Sequence, residues 1–155
     1  LAVIRDDTIV RYIPAPPSHG PKFFRQLDTK VSVLKLTPGL SVDTFTAVGN
    51  FCDGLIIESY GVGGVPDLYS DALAQISHAG KVVVVATQVP HEGSDMAIYR
   101  VGHLVKERLG LLETYDMTLE STVTKLMWVL AQTKNPRMID RLFYQTINHD
   151  ILWAK

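Results

Sequence analysis

The 155-residue sequence holds one cysteine, Cys52, and that scarcity already removes several chemistries. A single thiol forms no internal disulfide and suits a reducing compartment, so a cytoplasmic setting is expected. Its place between Phe51 and Asp53, just before an apolar run, reads as a buried structural thiol. An excess of either charge is also missing: 15 Lys and Arg face 16 Asp and Glu, a net charge of −1. Such a balance gives no basic footprint for nucleic acid and no polybasic patch for a membrane. No apolar stretch approaches the roughly 20 residues that a bilayer-spanning helix needs. A signal-peptide pattern is lacking too, and Leu1-Ala2-Val3-Ile4 reads as a strand already under way. The chain is therefore expected to be a fragment that begins inside a larger protein.

What is present is ordinary globular composition, 46% apolar and 20% charged, in a length that suits one domain with a sizeable core. Residues 1–13 read as a hairpin, Ala2-Val3-Ile4 and Ile9-Val10-Arg11-Tyr12-Ile13 flanking a polar turn. Four prolines between Pro14 and Pro21 then exclude helix and central strand, which predicts an extended linker. His19 falls in it as a solvated residue.

From about residue 29 the pattern becomes strand, turn, helix, repeated. Val31-Ser32-Val33-Leu34-Lys35-Leu36 is a predicted strand, and Ser41 is placed to cap a helix over 42–48. Gly54-Leu55-Ile56-Ile57-Glu58 is the second strand. Pro66 and Asp67 open a helix that stops at Gly80. Lys81-Val82-Val83-Val84-Val85-Ala86-Thr87 is the third, and four consecutive valines imply burial on both faces of a parallel sheet. A helix over 101–108 and a short fourth strand at Leu109-Gly110-Leu111-Leu112 follow. Thr118 caps a helix whose apolar face is Val123, Leu126, Met127 and Leu130. Asn135-Pro136 starts a last helix with Ile139, Leu142 and Phe143 turned inward. The sum is an α/β fold: a small, Rossmann-like parallel sheet of about four strands flanked by helices, preceded by a hairpin and a proline-rich linker. Ligands of such folds meet the loops at the carboxyl ends of the strands, here 37–39, 59–66, 87–95 and 113–118.

The loop Ser59-Tyr60-Gly61-Val62-Gly63-Gly64-Val65-Pro66 looks like a nucleotide cradle but fails as one. Asp67 occupies the third glycine position of G-x-G-x-x-G, and no P-loop lysine is present. His91-Glu92-Gly93-Ser94-Asp95 has no zinc spacing and reads as a solvated acidic loop. The other histidines, His78, His103 and His149, are too scattered to form a metal site. There is no G-x-S-x-G elbow. The strand-end hydroxyls Thr37, Ser59, Tyr60 and Thr87 suit ligand binding or backbone capping equally well. From the residues alone the chain is a binding half-site at the mouth of a parallel sheet.

At these same loops the sequence resembles a known family. Leu36-Thr37-Pro38-Gly39-Leu40, Glu58-Ser59-Tyr60-Gly61-Val62-Gly63, Ala86-Thr87-Gln88 and Tyr115-Asp116-Met117-Thr118, followed by Thr124-Lys125-Leu126, are similar to the C-terminal domain of L-asparaginases, type I cytoplasmic branch. The resemblance covers about residues 29–145. It implies residues 1–28 as the tail of a preceding domain plus linker, and 29–155 as the C-terminal α/β domain. It also implies hydrolysis of L-asparagine to aspartate and ammonia without metal or cofactor, through a threonine nucleophile. The family's nucleophile motifs lie in its N-terminal domain, and none occurs here. The resemblance thus implies no catalytic residue in this chain, which should be inactive alone. It would supply dimer contacts and part of a substrate or regulatory pocket.

The residues carried over as contacts to the amino acid are Ser59, Tyr60, Gly61, Thr87, Gln88 and Tyr99. Three positions depart from the family pattern. Gly64 stands where the family often has Asn, Val89 where some type I members have an allosteric cysteine, and Glu58 where some bacterial enzymes have Arg. Two other readings compete: a stand-alone module that binds a small amino acid, and the amidase subunit of an archaeal transfer-RNA amidotransferase. Neutral charge and the lack of a basic extension weigh against the second.

Overall fold

The computed structural model describes residues 2–13, 20–89, 93–96, 106 and 108–152. Strands β1 (Ala2–Arg5) and β2 (Thr8–Arg11) form an antiparallel hairpin with Arg5 opposite Thr8. Its two-residue turn is Asp6-Asp7, with Asp6 at φ +50°, a conformation that Asp tolerates better than most residues. Both strands are exposed along their length. Most of the proline-rich linker, 14–19, lies outside the described residues, as do His19, His91 and His103.

Four parallel strands carry the domain: β3 (Val31–Lys35), β4 (Gly54–Ser59), β5 (Val82–Thr87) and β6 (Leu112–Glu113), in the order β3-β4-β5-β6. The alternation of the strands divides two cores. Leu55, Ile57, Val83 and Val85 point to one face, where they meet Phe45 of α1 (Val42–Phe51) and Leu73 and Ile76 of α2 (Ser70–His78). Ile56, Val84 and Ala86 point to the other. There they meet Leu126, Val129 and Leu130 of α3 (Leu119–Gln132) and Ile139 and Phe143 of α4 (Pro136–Tyr144). The valine run is buried on both sides because each face has its own layer of helices.

The caps follow local chemistry. Ser41 accepts from Thr44 N at 3.1 Å, Thr118 from Ser121 N at 3.2 Å, and Asn135 from Arg137 N and Met138 N. Gly80, at φ +80°, ends the turn after α2, and its N–H donates to Ser77 O at 2.9 Å. Cys52 is 1% exposed, and burial pushes its thiol pKa up. Among the described residues no helix is long and apolar enough to cross a membrane.

The structure departs from the sequence expectations at three places. The fourth strand is Leu112–Glu113 and not 109–112, because Leu109 is still helical and Gly110, at φ +64°, ends that helix. The predicted helix over 101–108 lies outside the described residues except for Lys106 and Arg108, both helical. The second departure is the buried face of α3, which is Thr122, Lys125, Leu126, Val129 and Leu130, while Val123 and Met127 are half-buried. That face is rotated because two polar residues on it satisfy themselves. Thr122 donates its hydroxyl to Thr118 O, and Lys125 is paired with Asp150 at 2.7 Å. Counting apolar residues alone misses such a face. Third, the loop before 96 is not solvated where it is described: Ser94 is 0% and Asp95 7% exposed.

Candidate functional site

Strand order fixes what the carboxyl edge of the sheet looks like. In doubly wound sheets a ligand crevice opens where the order reverses. The four described strands run in sequence, with α1 and α2 on the same face, so their end loops lie side by side along one edge.

Those loops are lashed to one another by the side chains singled out in the sequence. Ser59, fully buried, donates its hydroxyl to the Gly64 carbonyl across its own loop. Thr87 donates to the Gly61 carbonyl and accepts from Val89 N at 3.0 Å. Gln88 donates through Nε2 to Leu36 O at 2.7 Å and Glu58 O at 2.9 Å, and its N–H donates to Ser59 O at 2.9 Å. Three loops from three strands are thus joined through buried or half-buried polar groups, each satisfied by backbone. The hydroxyls of Ser59 and Thr87 face carbonyls and not a base, so neither is set up as an activated nucleophile.

Tyr60 and Gly61 form the outer rim. A bridge between Tyr60 and Gly64 closes the loop, Gly63 N donates to Tyr60 O at 3.1 Å, and the Tyr60 side chain stays 40% exposed. Gly63 sits at φ +107°, where a side chain would be strained, and an added Cβ would press on Ser94 Cβ at 3.3 Å and Val85 Cγ1 at 3.4 Å. At Gly64 an added Cβ would meet nothing within 4 Å. Tyr99 lies outside the described residues. Of the six predicted contacts, five therefore gather at the mouth of β4 and β5, with only Tyr60 presenting an exposed functional group.

A second polar cluster supports this rim from beneath, and sequence reading missed it. Ser94 Oγ is 3.0 Å from Thr114 Oγ1 and accepts from Tyr115 N at 2.9 Å, while Ser94 N donates to Tyr115 O. Asp95 N donates to Val62 O at 2.8 Å, which ties the cluster to the glycine loop. Glu113 is wholly buried and accepts from Met96 N and from the Lys106 ammonium. Lys106 also donates to the Tyr115 hydroxyl at 3.0 Å. Burial alone would lower the Lys106 pKa, but the Glu113 carboxylate and the Tyr115 hydroxyl outweigh it and raise it. Tyr144 OH accepts from Glu113 N at 2.9 Å, and burial drives its own pKa well up. The one sequence signal near this cluster is the Tyr115-Asp116-Met117-Thr118 motif. Its neighbours Glu113 and Lys106 carry no local pattern.

Among the described residues no three His, Cys, Asp or Glu side chains gather to hold a metal ion. The arrangement offers a preorganised rim of backbone and hydroxyl groups suited to a small polar ligand. The described residues of the rim bring no acid, base and nucleophile into mutual reach.

Known proteins share this fold. The chain is 36% identical over 148 residues to the L-asparaginase of Thermococcus kodakarensis, covering 94% of this chain and 45% of that protein. It is 34% identical over 124 residues to a glutamyl-tRNA(Gln) amidotransferase subunit from Thermofilum pendens, covering 79% of this chain and 27% of that one. The solved structure of the thermostable L-asparaginase from Thermococcus kodakarensis superposes with a TM-score of 0.84, at 31% identity, over 99% of this chain and 47% of the other. The chain spans less than half the length of these relatives. Residues 30–143 match the glutaminase/asparaginase C-terminal domain family, and the chain belongs to that family.

Proposed function

We propose that this chain is the C-terminal portion of an L-asparaginase that hydrolyses L-asparagine to L-aspartate and ammonia. Residues 1–28 are the tail of a preceding domain and the linker, and 29–155 the C-terminal domain. The chain supplies one wall of an amino-acid pocket and contacts to a second copy. The missing N-terminal domain supplies the threonine nucleophile. The observation that carries this reading is the clamped rim: Ser59, Thr87 and Gln88 spend their donors on carbonyls, which fixes Tyr60 and the backbone of Gly61 at the mouth. A rim built this way orients an amino acid without activating anything, which suits a wall that faces a reactive wall contributed from elsewhere. No cofactor is invoked, and the enzyme is assigned to the cytoplasm.

The likeness to an amidotransferase component favours a second reading, the amidase subunit of a transfer-RNA amidotransferase, in which ammonia released from a small amide is passed on to the carboxyl of a glutamyl group on transfer RNA. The higher identity and longer coverage of the Thermococcus kodakarensis asparaginase favour the first. One experiment separates a pocket wall, common to both readings, from a stand-alone sensor. The purified 155-residue chain is assayed for ammonia release and titrated calorimetrically with asparagine, aspartate and glutamine. One wall of a pocket gives no ammonia and only weak heats. Steady turnover of asparagine would overturn the assignment of the nucleophile to another domain. Tight binding of one amino acid by the isolated chain would make it a sensor.

A further inference from the structure

At the opposite edge of the sheet, where β5 and β6 begin, a cavity of about 580 Å³ opens between α2, the helical residues before Gly110, and the start of α4. Val82 lines it at the start of β5, and Thr87 stands at the other end of that strand, about 17 Å away. The cavity is therefore separate from the clamped rim. Its volume falls within the roughly 300–1,000 Å³ typical of small-molecule sites.

The lining is apolar below and cationic above. Val82, Leu111, Leu112 and Ile139 form the floor, and Lys81, Lys134 and Arg137 stand on the rim, against one lining carboxylate among the described residues, Asp140. Lys106 also lines the cavity, but its ammonium is committed to Glu113 and Tyr115. Lys81 and Lys134 have partners outside the lining: Asp53 at 3.1 Å and Asp28 at 2.7 Å. Each pair is only partly exposed, Lys81 at 23% and Asp28 at 16% against Asp53 at 36% and Lys134 at 64%. Ion pairs near the surface are worth about 1 kcal/mol or less, so a bound anion can compete for the ammonium. The lining itself thus places three cations beside one carboxylate, with Asp53 and Asp28 standing behind two of them. Arg137 adds a planar fork suited to a carboxylate, sulfonate or phosphate.

We propose that this cavity binds a small organic anion with an apolar body, its acidic group at Lys81, Lys134 and Arg137 and its body on Val82, Leu112 and Ile139. The inference does not depend on the amidohydrolase reading, because none of these residues belongs to the strand-end rim.

The test uses the 155-residue chain and two dyes of one shape: 1-anilinonaphthalene-8-sulfonate, which is anionic, and N-phenyl-1-naphthylamine, which is neutral. Saturable one-site binding of the sulfonate is expected, with the neutral dye about tenfold weaker. Lys134→Glu and Arg137→Glu should each weaken the sulfonate about tenfold while leaving thermal unfolding in place, and added salt should weaken it further. Should a variant fail to fold, amide shift mapping on the unaltered chain decides. Val82, Leu112 and Arg137 should move and Tyr60 should not. Dye binding that ignores both substitutions, or shifts centred on Tyr60, would overturn the proposal. Inorganic phosphate producing the same shifts at equal affinity would overturn the part played by the apolar floor.

Discussion

Substitution of Lys125 by Met tests whether the end of the chain is held by one buried charge. The Lys125 side chain is 3% exposed, and its ammonium lies 2.7 Å from Asp150 Oδ2, itself 15% exposed, and 2.7 Å from Gln145 O. Two more bonds depend on the same segment: Leu152 N donates to the Asp116 carboxylate, and Thr146 Oγ1 donates to Ile151 O. Ile151 is 2% exposed within the core that α3 and α4 share. Removing one partner of a buried pair leaves the other charge stranded and costs about 3–5 kcal/mol. Against a total stability of about 5–15 kcal/mol this is a large fraction. For a chain of this size it corresponds to a fall in Tm of about 6–20 °C. The assay is urea denaturation of Lys125→Met, Asp150→Asn and the double variant, with limited proteolysis of 145–152 as a local readout. The double variant should recover most of the loss, because neither charge is then stranded. A single-variant cost below about 1 kcal/mol, or strictly additive losses in the double, would refute the reasoning.

Other substitutions probe the glycines and the buried phenol. Gly49→Ala places a Cβ 2.2 Å from Ile76 Cδ1 and 2.8 Å from its Cγ1, so the Ile76 side chain must shift or α1 and α2 move apart. The expected loss is about 1–3 kcal/mol despite better helix propensity, and a raised urea midpoint would contradict it. Gly64→Asn adds a side chain into open space, so stability should change by no more than about 0.5 kcal/mol. A large loss on thermal melting would mean that the loop is packed against something at that point. Alkaline stability should decline above about pH 10, the range in which unfolded lysine and tyrosine titrate. Lys106 has a raised folded pKa, so its contribution is complete below the unfolded value and is lost as pH rises through the folded one. Tyr144, kept protonated by burial, acts in the same direction, since the unfolded phenol gives up its proton first. Tyr144→Phe should flatten the slope of unfolding free energy against pH, and an unchanged slope would remove Tyr144 from this account.

The parts of the fold legible in the sequence are those set by neighbouring residues. Four valines in a row, the caps Ser41, Thr118 and Asn135, and Gly80 after α2 each act within one turn or one strand, and each forms the element its chemistry suggests. The parts not legible depend on partners far along the chain. Lys125 is buried only because Asp150 and Gln145 O come back to it from beyond α4. Ser94 is buried only because Thr114 and Tyr115 close over it. A polar residue gives no local sign of being on a buried face, so the stripe on α3 and the floor of the rim both escape a pattern built from apolar residues.

The same distinction bears on function. Ser59, Thr87 and Gln88 are residue types that commonly touch a ligand, yet each hands its donor to a carbonyl of the rim or a neighbouring strand end. Such bonds hold the loops in place before any ligand arrives, so less ordering remains to be done on binding. Among the described residues they also leave the rim with few uncommitted donors, chiefly the exposed Tyr60 and backbone. A site of that kind suits a small polar ligand held by shape and a few polar contacts. At a larger scale the described strands run in sequence, so their order alone does not supply the switch-point crevice of a doubly wound sheet. Under the proposed reading, an amide-hydrolysing pocket on this edge is closed by a second surface. The directions of the Ser59, Thr87 and Gln88 hydrogen bonds support that reading from geometry, apart from any resemblance.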